Sequence, residues 1–171
     1  MPQSATLHQV PTAPSPAGLP PGPVRAAFAL WVTAVAAGAF ETVLAIGRML
    51  ADGTGSAGEI AVGLAIRLPV FVAALLIVRQ MRTGRDWARI VLAIGLGVVG
   101  TASMVVGPVQ ALAHGRSLGW ELAHATPLDF VFAASRTVHV SSVLAAVVLM
   151  FLPAANGYFP RGRLGRRDRR G

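Results

Sequence analysis

The sequence contains no cysteine. Disulfides, thiolate metal sites and thiol nucleophiles are therefore excluded, and nothing in the chain marks a redox compartment. Lysine is missing too, so all fifteen basic residues are arginine. Charged residues make up 13% of the chain and aromatics 6%. Soluble domains carry roughly a quarter charged residues, so there is too little charge here to coat a soluble globule. The net charge of +8 does not indicate nucleic acid either, because the arginines are not interleaved with stacking aromatics. Arginine-only basicity beside abundant Ala, Gly, Val and Pro matches the codon usage of a GC-rich bacterium.

Apolar length is what the chain does have: 54% hydrophobic residues and a mean hydropathy of +0.61. Four stretches, at about 26–46, 60–78, 87–107 and 128–152, approach the roughly 20 residues needed to cross a bilayer. The expected fold is all-α, a polytopic membrane protein with four transmembrane helices in an antiparallel bundle. Residues 1–24 hold seven of the twelve prolines and read as a disordered, polyproline-like tail. Residues 160–171 form a second, Arg-rich tail. Ala37-Gly38-Ala39 offers a small-residue cleavage triplet, but so long a Pro-rich leader is atypical of a signal peptide. Pro69 should kink the second span near Arg67. Asp86 is placed to cap the third span, and Gly107-Pro108 to end or bend it. Residues 109–125 suggest a short interfacial helix with Trp120 at headgroup level. Thr126-Pro127-Leu128-Asp129 is a helix start, with Thr as cap and an acid in the first turn.

Cytoplasmic loops retain an excess of arginine. Eleven arginines fall on one side, in the loop at 79–89, in the C-terminal tail and at Arg25, against Arg48 and Arg116 on the other. The expectation is a multi-pass protein of the bacterial cell membrane with both termini cytoplasmic. Its arginine-rich face would meet anionic lipid headgroups.

The stretch FVFAASRTVHVSSVLAAVVLMFL at 130–152 carries Arg136 and His139 inside an apolar span. Residues three and four apart share a helix face, so Ser135, Arg136, His139 and Ser142 form one polar stripe that should face other helices. At 1.5 Å per residue, Glu41 lies about 8 Å below the outer end, Arg67 about 11 Å and Arg136 about 9–12 Å, with His139 a turn deeper. Isolated charges at such depth cost from about 3 to over 10 kcal/mol, so Glu41 should pair with Arg67, Arg136 or both. One reading is an ion pair that fixes packing. The other is a net positive outward pocket, two arginines against one glutamate, suited to an anion or an acidic headgroup. Glu41 and His139 also fit a proton path, because imidazole titrates near neutral pH.

Three other patterns carry less weight. Gly95-Leu96-Gly97-Val98-Val99-Gly100 matches GxGxxG, yet it lies within a continuous apolar span, where small residues serve helix packing. His114, Glu121 and His124 have ligand chemistry but read as solvated loop residues, so no metal is expected. Ser135 or Ser142 beside His139 lacks an orienting acid and an oxyanion site. Neither a cofactor nor an enzymatic activity is expected.

Two stretches, MRTGRDWARIVLAIGLG at 81–97 and FLPAANGYFPR at 151–161, resemble the GRxWAR turn and LPxxNxYF helix exit of four-span membrane proteins of high-GC actinobacteria. The resemblance implies four-span topology and brings no activity with it. Both stretches should lie at the inner interface, where Arg85, Trp87, Arg89, Asn156 and Tyr158 would cluster, with Arg89 reaching Asn156 or carbonyls freed at Pro153. The leading functional expectation is a non-enzymatic accessory or structural membrane protein with a partner in the membrane. The alternative is a small proton-coupled or anion-binding transporter using Glu41, Arg67, Arg136 and His139. In that reading Glu41 resembles the buried first-helix glutamate of small multidrug-resistance exporters.

Overall fold

The computed structural model describes residues 20–115 and 118–159, and those residues are helical with no strand among them. Helix α1 (Gly22–Ala51) is followed by α2 (Ala57–Arg82). Next comes α3 (Asp86–Leu92), which runs without a break through a π-helical segment (Ala93–Gly100) into α4 (Thr101–Ala113). A short α5 (Leu118–Ala123) precedes the long α6 (Pro127–Phe151), and α7 (Pro153–Asn156) closes the described chain. Four of these units, Gly22–Ala51, Ala57–Arg82, Asp86–Val106 and Pro127–Phe151, are long and apolar enough to cross a membrane. The protein is a four-helix membrane bundle, and its many exposed aliphatic side chains, such as Val62, Ile66, Leu76, Ile94 and Val98, contact lipid.

Local chemistry sets the helix ends. Ser56 Oγ accepts from the Glu59 amide at 3.2 Å while Glu59 Oε2 accepts from the Ser56 amide at 3.0 Å. The same reciprocal box joins Thr126 and Asp129, with Pro127 in the first turn, so amides that no helix carbonyl can reach are satisfied. The start at Thr126 is as the sequence predicts. Other boundaries differ. Helix α1 begins at Gly22, within the stretch assigned to the tail, because Pro23 in the first turn has no amide to leave unpaired. Asp86 is the first helical residue and Arg85 occupies the cap position. Pro108 does not end the third helix, which stays helical to Ala113, since local adjustment of the helix can satisfy the carbonyl that a proline frees. Residues 1–19 and 160–171, which hold most of both predicted tails, lie outside the described residues, as does Arg116.

The helices alternate in direction, so α1 starts and α6 ends at one end of the bundle, called basal here, and the turn between α1 and α2 lies at the distal end. The core occupies the basal half. Val24, Ala27, Trp31 and Ala34 follow one face of α1 at spacings of three and four. They meet Val78 and Met81 of α2, Leu92 of α3, and Val143, Ala146 and Met150 of α6. Trp31 is fully buried and its indole N–H donates to Met150 Sδ at 3.4 Å. The most extensive packing is between α1 and α6, whereas among the described residues α4 packs extensively against no helix but its own π-helical lead-in. Buried residues of α2 are confined to Ala74, Val78 and Met81. The bundle is therefore closed basally and open distally. Within the π-helical segment, a methyl group on Gly97 would meet Val147 of α6 at 3.1 Å, while one on Gly95 would meet nothing within 4 Å. Only part of the GxGxxG pattern serves close packing.

Candidate functional site at the distal opening

The buried face of α1 continues beyond the core through Gly38 to Glu41 and Thr42, and there it meets the polar stripe of α6. Arg136 Nη2 lies 3.6 Å from Glu41 Oε2. Glu41 is 8% exposed, whereas the Arg136 side chain is 45% exposed and reaches toward the distal surface. Ser135 Oγ donates to the Ala37 carbonyl at 3.4 Å and Thr42 Oγ1 to the Gly38 carbonyl at 2.9 Å. The imidazole of His139 lies against Gly38. A methyl group there would meet His139 Cε1 and Phe71 Cε1 of α2, each at 3.4 Å, so the missing side chain lets three helices converge. Two polar atoms in this cluster, Glu41 Oε1 and His139 Nδ1, are buried without a hydrogen-bond partner.

Arg67 does not join them. By helical spacing it continues the α2 stripe of Ala74, Val78 and Met81, which is why the sequence places it inward. At its level, however, α2 is no longer buried and Arg67 is exposed. Its guanidinium lies along its own helix, 3.7 Å from where a side chain on Gly63 would begin. Such a side chain reaches the interface by extending along the helix surface.

Three residues absent from the predicted site line the opening instead. Arg48 Nη1 bonds Asp129 Oδ1 across α1 and α6 at 2.7 Å, and Arg48 Nε lies 3.7 Å from Asp52 Oδ2. A pocket of about 600 Å³ is bounded by Arg48, Asp52, Asp129, Phe132 and Arg136. The expected net positive pocket is thus corrected: Arg48 and Arg136 face Asp52 and Asp129, with Glu41 behind, so positive charge is not in excess. The sequence held no signal for this pairing, because charges at helix ends reach water and nothing compels them to pair.

The basal cluster assembles in part. Arg89 is 8% exposed, lies between the rings of Phe151 and Phe159 at 5.1 and 4.9 Å, and donates from Nη1 to Asn156 Oδ1 at 2.7 Å. Asn156 Nδ2 in turn donates to the Phe151 carbonyl at 3.2 Å. Arg89 Nε also makes a close ion contact with Asp86 Oδ1, at an angle that is not a hydrogen bond. Tyr158 donates its hydroxyl proton to the Arg82 carbonyl at 2.9 Å and packs on Gly84. Gly84 has φ +83°, a turn conformation that a side chain would strain. Arg85 and Trp87 are exposed and stand outside this group. Asp86, Phe151 and Phe159 are the members that sequence reasoning missed.

The sequence matches no family model, and no curated protein or solved structure is detectably similar to it. The site must be judged by its own chemistry. Among the described residues no group of three His, Asp or Glu side chains could hold a metal ion, and the Glu121 side chain lies outside the description. Ser135 bonds a backbone carbonyl rather than His139. The distal cluster offers charge recognition and a buried carboxylate oxygen, Glu41 Oε1, without a hydrogen-bond donor.

Proposed function

We propose that this is a non-catalytic protein of a bacterial cell membrane, with both termini cytoplasmic, whose outward-facing opening between α1 and α6 recognises a polar ligand or the polar segment of a membrane partner. One observation carries the reading. Below His139 the polar stripe of α6 reaches only to the buried Ser142. Beyond it the bundle is filled by apolar side chains such as Trp31, Val143, Ala146 and Met150, so among the described residues that apolar core separates the distal polar groups from the basal Arg89 cluster. Recognition needs only a recess, whereas transport needs a path. The cytoplasmic assignment of the basal end rests on its arginine excess.

A second reading, a small proton-coupled or anion-binding transporter, draws on the unpartnered Glu41 Oε1 and His139 Nδ1. Vesicles containing the purified protein separate the two readings. The wild type is expected to hold an imposed pH gradient as long as empty vesicles and as long as vesicles with Glu41→Gln. Collapse of the gradient by the wild type but not by Glu41→Gln would establish the transporter and end the recess reading.

Orientation has its own test, made clean by the absence of native cysteine. Single cysteines at Asp52 and Thr83, probed in intact cells with an impermeant maleimide, should label at position 52 and stay unlabelled at 83 until the membrane is opened. The reverse pattern would invert the bundle.

A further inference from the structure

We propose that the basal groove between α1 and α2 is a binding site for one anionic phospholipid, with the acyl chain along the groove and the phosphate held by Arg79 and Arg82. The groove has a volume of about 680 Å³. Phe28 and Val32 of α1 and Leu75 of α2 form its apolar wall, and Arg79 and Arg82 stand at its mouth in the last turn of α2.

Arginines in the last turn of a helix ordinarily answer its unpaired carbonyls and the negative end of its dipole. Here those carbonyls already have donors. The Thr83 amide bonds the Arg79 carbonyl at 3.2 Å, and Thr83 Oγ1 donates to the Gln80 carbonyl at 2.8 Å. The Gly84 amide reaches the Met81 carbonyl at 3.0 Å, and the Tyr158 hydroxyl the Arg82 carbonyl at 2.9 Å. Neither guanidinium has a carboxylate partner among the described residues, whereas Arg48, Arg89 and Arg136 each have one. Arg82 instead lies 4.8 Å above the Phe28 ring, at the rim of the groove. Two uncompensated cations three residues apart, above an apolar channel at a helix end, match a phosphate on an acyl chain. The hydroxyls of Thr83 and Tyr158 already donate to carbonyls, so the arginines alone supply the charge.

The choice of lipid rests on the cytoplasmic reading of the basal end, because that leaflet carries the anionic lipids. The test does not depend on it. Full-length protein extracted from vesicles of equimolar phosphatidylglycerol and phosphatidylcholine is examined by native mass spectrometry. One retained phosphatidylglycerol is expected, favoured by about tenfold or more, the order that two basic side chains give on a lipid phosphate. Arg79→Gln with Arg82→Gln should bring the ratio near one, and Leu75→Trp, which fills the channel, should remove the bound lipid. Arg166→Gln with Arg167→Gln in the C-terminal tail should leave the preference unchanged. Undiminished preference in the Arg79/Arg82 variant, or its loss in the tail variant, overturns the proposal. Displacement of the lipid by excess inorganic phosphate would also overturn it, by showing a site for a free anion. Thermal unfolding of each variant confirms that it is folded.

Discussion

Arg89→Leu is expected to lower the unfolding free energy of the protein in detergent by about 2–3 kcal/mol, below the 3–5 typical of breaking a fully buried pair because Asp86 can turn to water. The Asp86 side chain is 32% exposed against 9% for Arg89. Leucine preserves apolar volume between Phe151 and Phe159 but loses the cation–π contacts and the bond to Asn156. Arg89→Lys should recover only part of the loss, since an ammonium keeps the charge without the planar group that lies between two rings. Asp86→Asn added to Arg89→Leu should change stability by less than about 1 kcal/mol, because a carboxylate that can turn to water leaves little charge to relieve. The measurement is the thermal unfolding midpoint of the four proteins. A leucine variant as stable as wild type would show that the contact does not fasten the third span to the chain exit.

Arg136→Gln and Glu41→Gln should have unequal effects, although they break the same 3.6 Å ion pair. Removing Arg136 leaves Glu41, with 9% of its side chain exposed, facing a low-dielectric interior with no counter-charge. A destabilisation of about 2–4 kcal/mol is expected, in the range for an uncompensated buried charge. Removing the charge of Glu41 leaves Arg136, 45% exposed, free to reach the distal surface, so Glu41→Gln should stay within about 1 kcal/mol of wild type. The double variant should resemble Glu41→Gln alone, and the resulting double-mutant cycle isolates the coupling. Additive effects would mean that the two residues act independently. A coupled pair in which Glu41→Gln costs little would mean that the carboxylate is not kept for folding, and would direct the search for a ligand to the recess.

The unequal success of the sequence reading follows from what each feature depends on. Four spans are legible because the roughly 20-residue apolar length is a property of a single segment. The Glu41–Arg136 pairing is legible because a buried charge has few ways to be satisfied, and depth along each helix follows from residue number. The Arg89–Asn156 contact follows from two short stretches that both belong at the basal interface. Arg67 had the same spacing, depth and charge as a true member of the cluster, and only the exposure of α2 at its level excludes it. Arg48 was read only as an orientation charge, and Asp129 only as the first-turn acid that it is. Their 2.7 Å contact depends on how closely the end of α1 approaches the start of α6.

By itself, the sequence determined the four apolar spans, the common end of both termini and the capped start of α6 at Thr126, because length, helical period and capping are local. The tertiary structure alone decided that the bundle closes basally and opens distally. Interhelical distance is set by the summed packing of many side chains, here the contacts gathered around Trp31 and Met150, and no single residue encodes it.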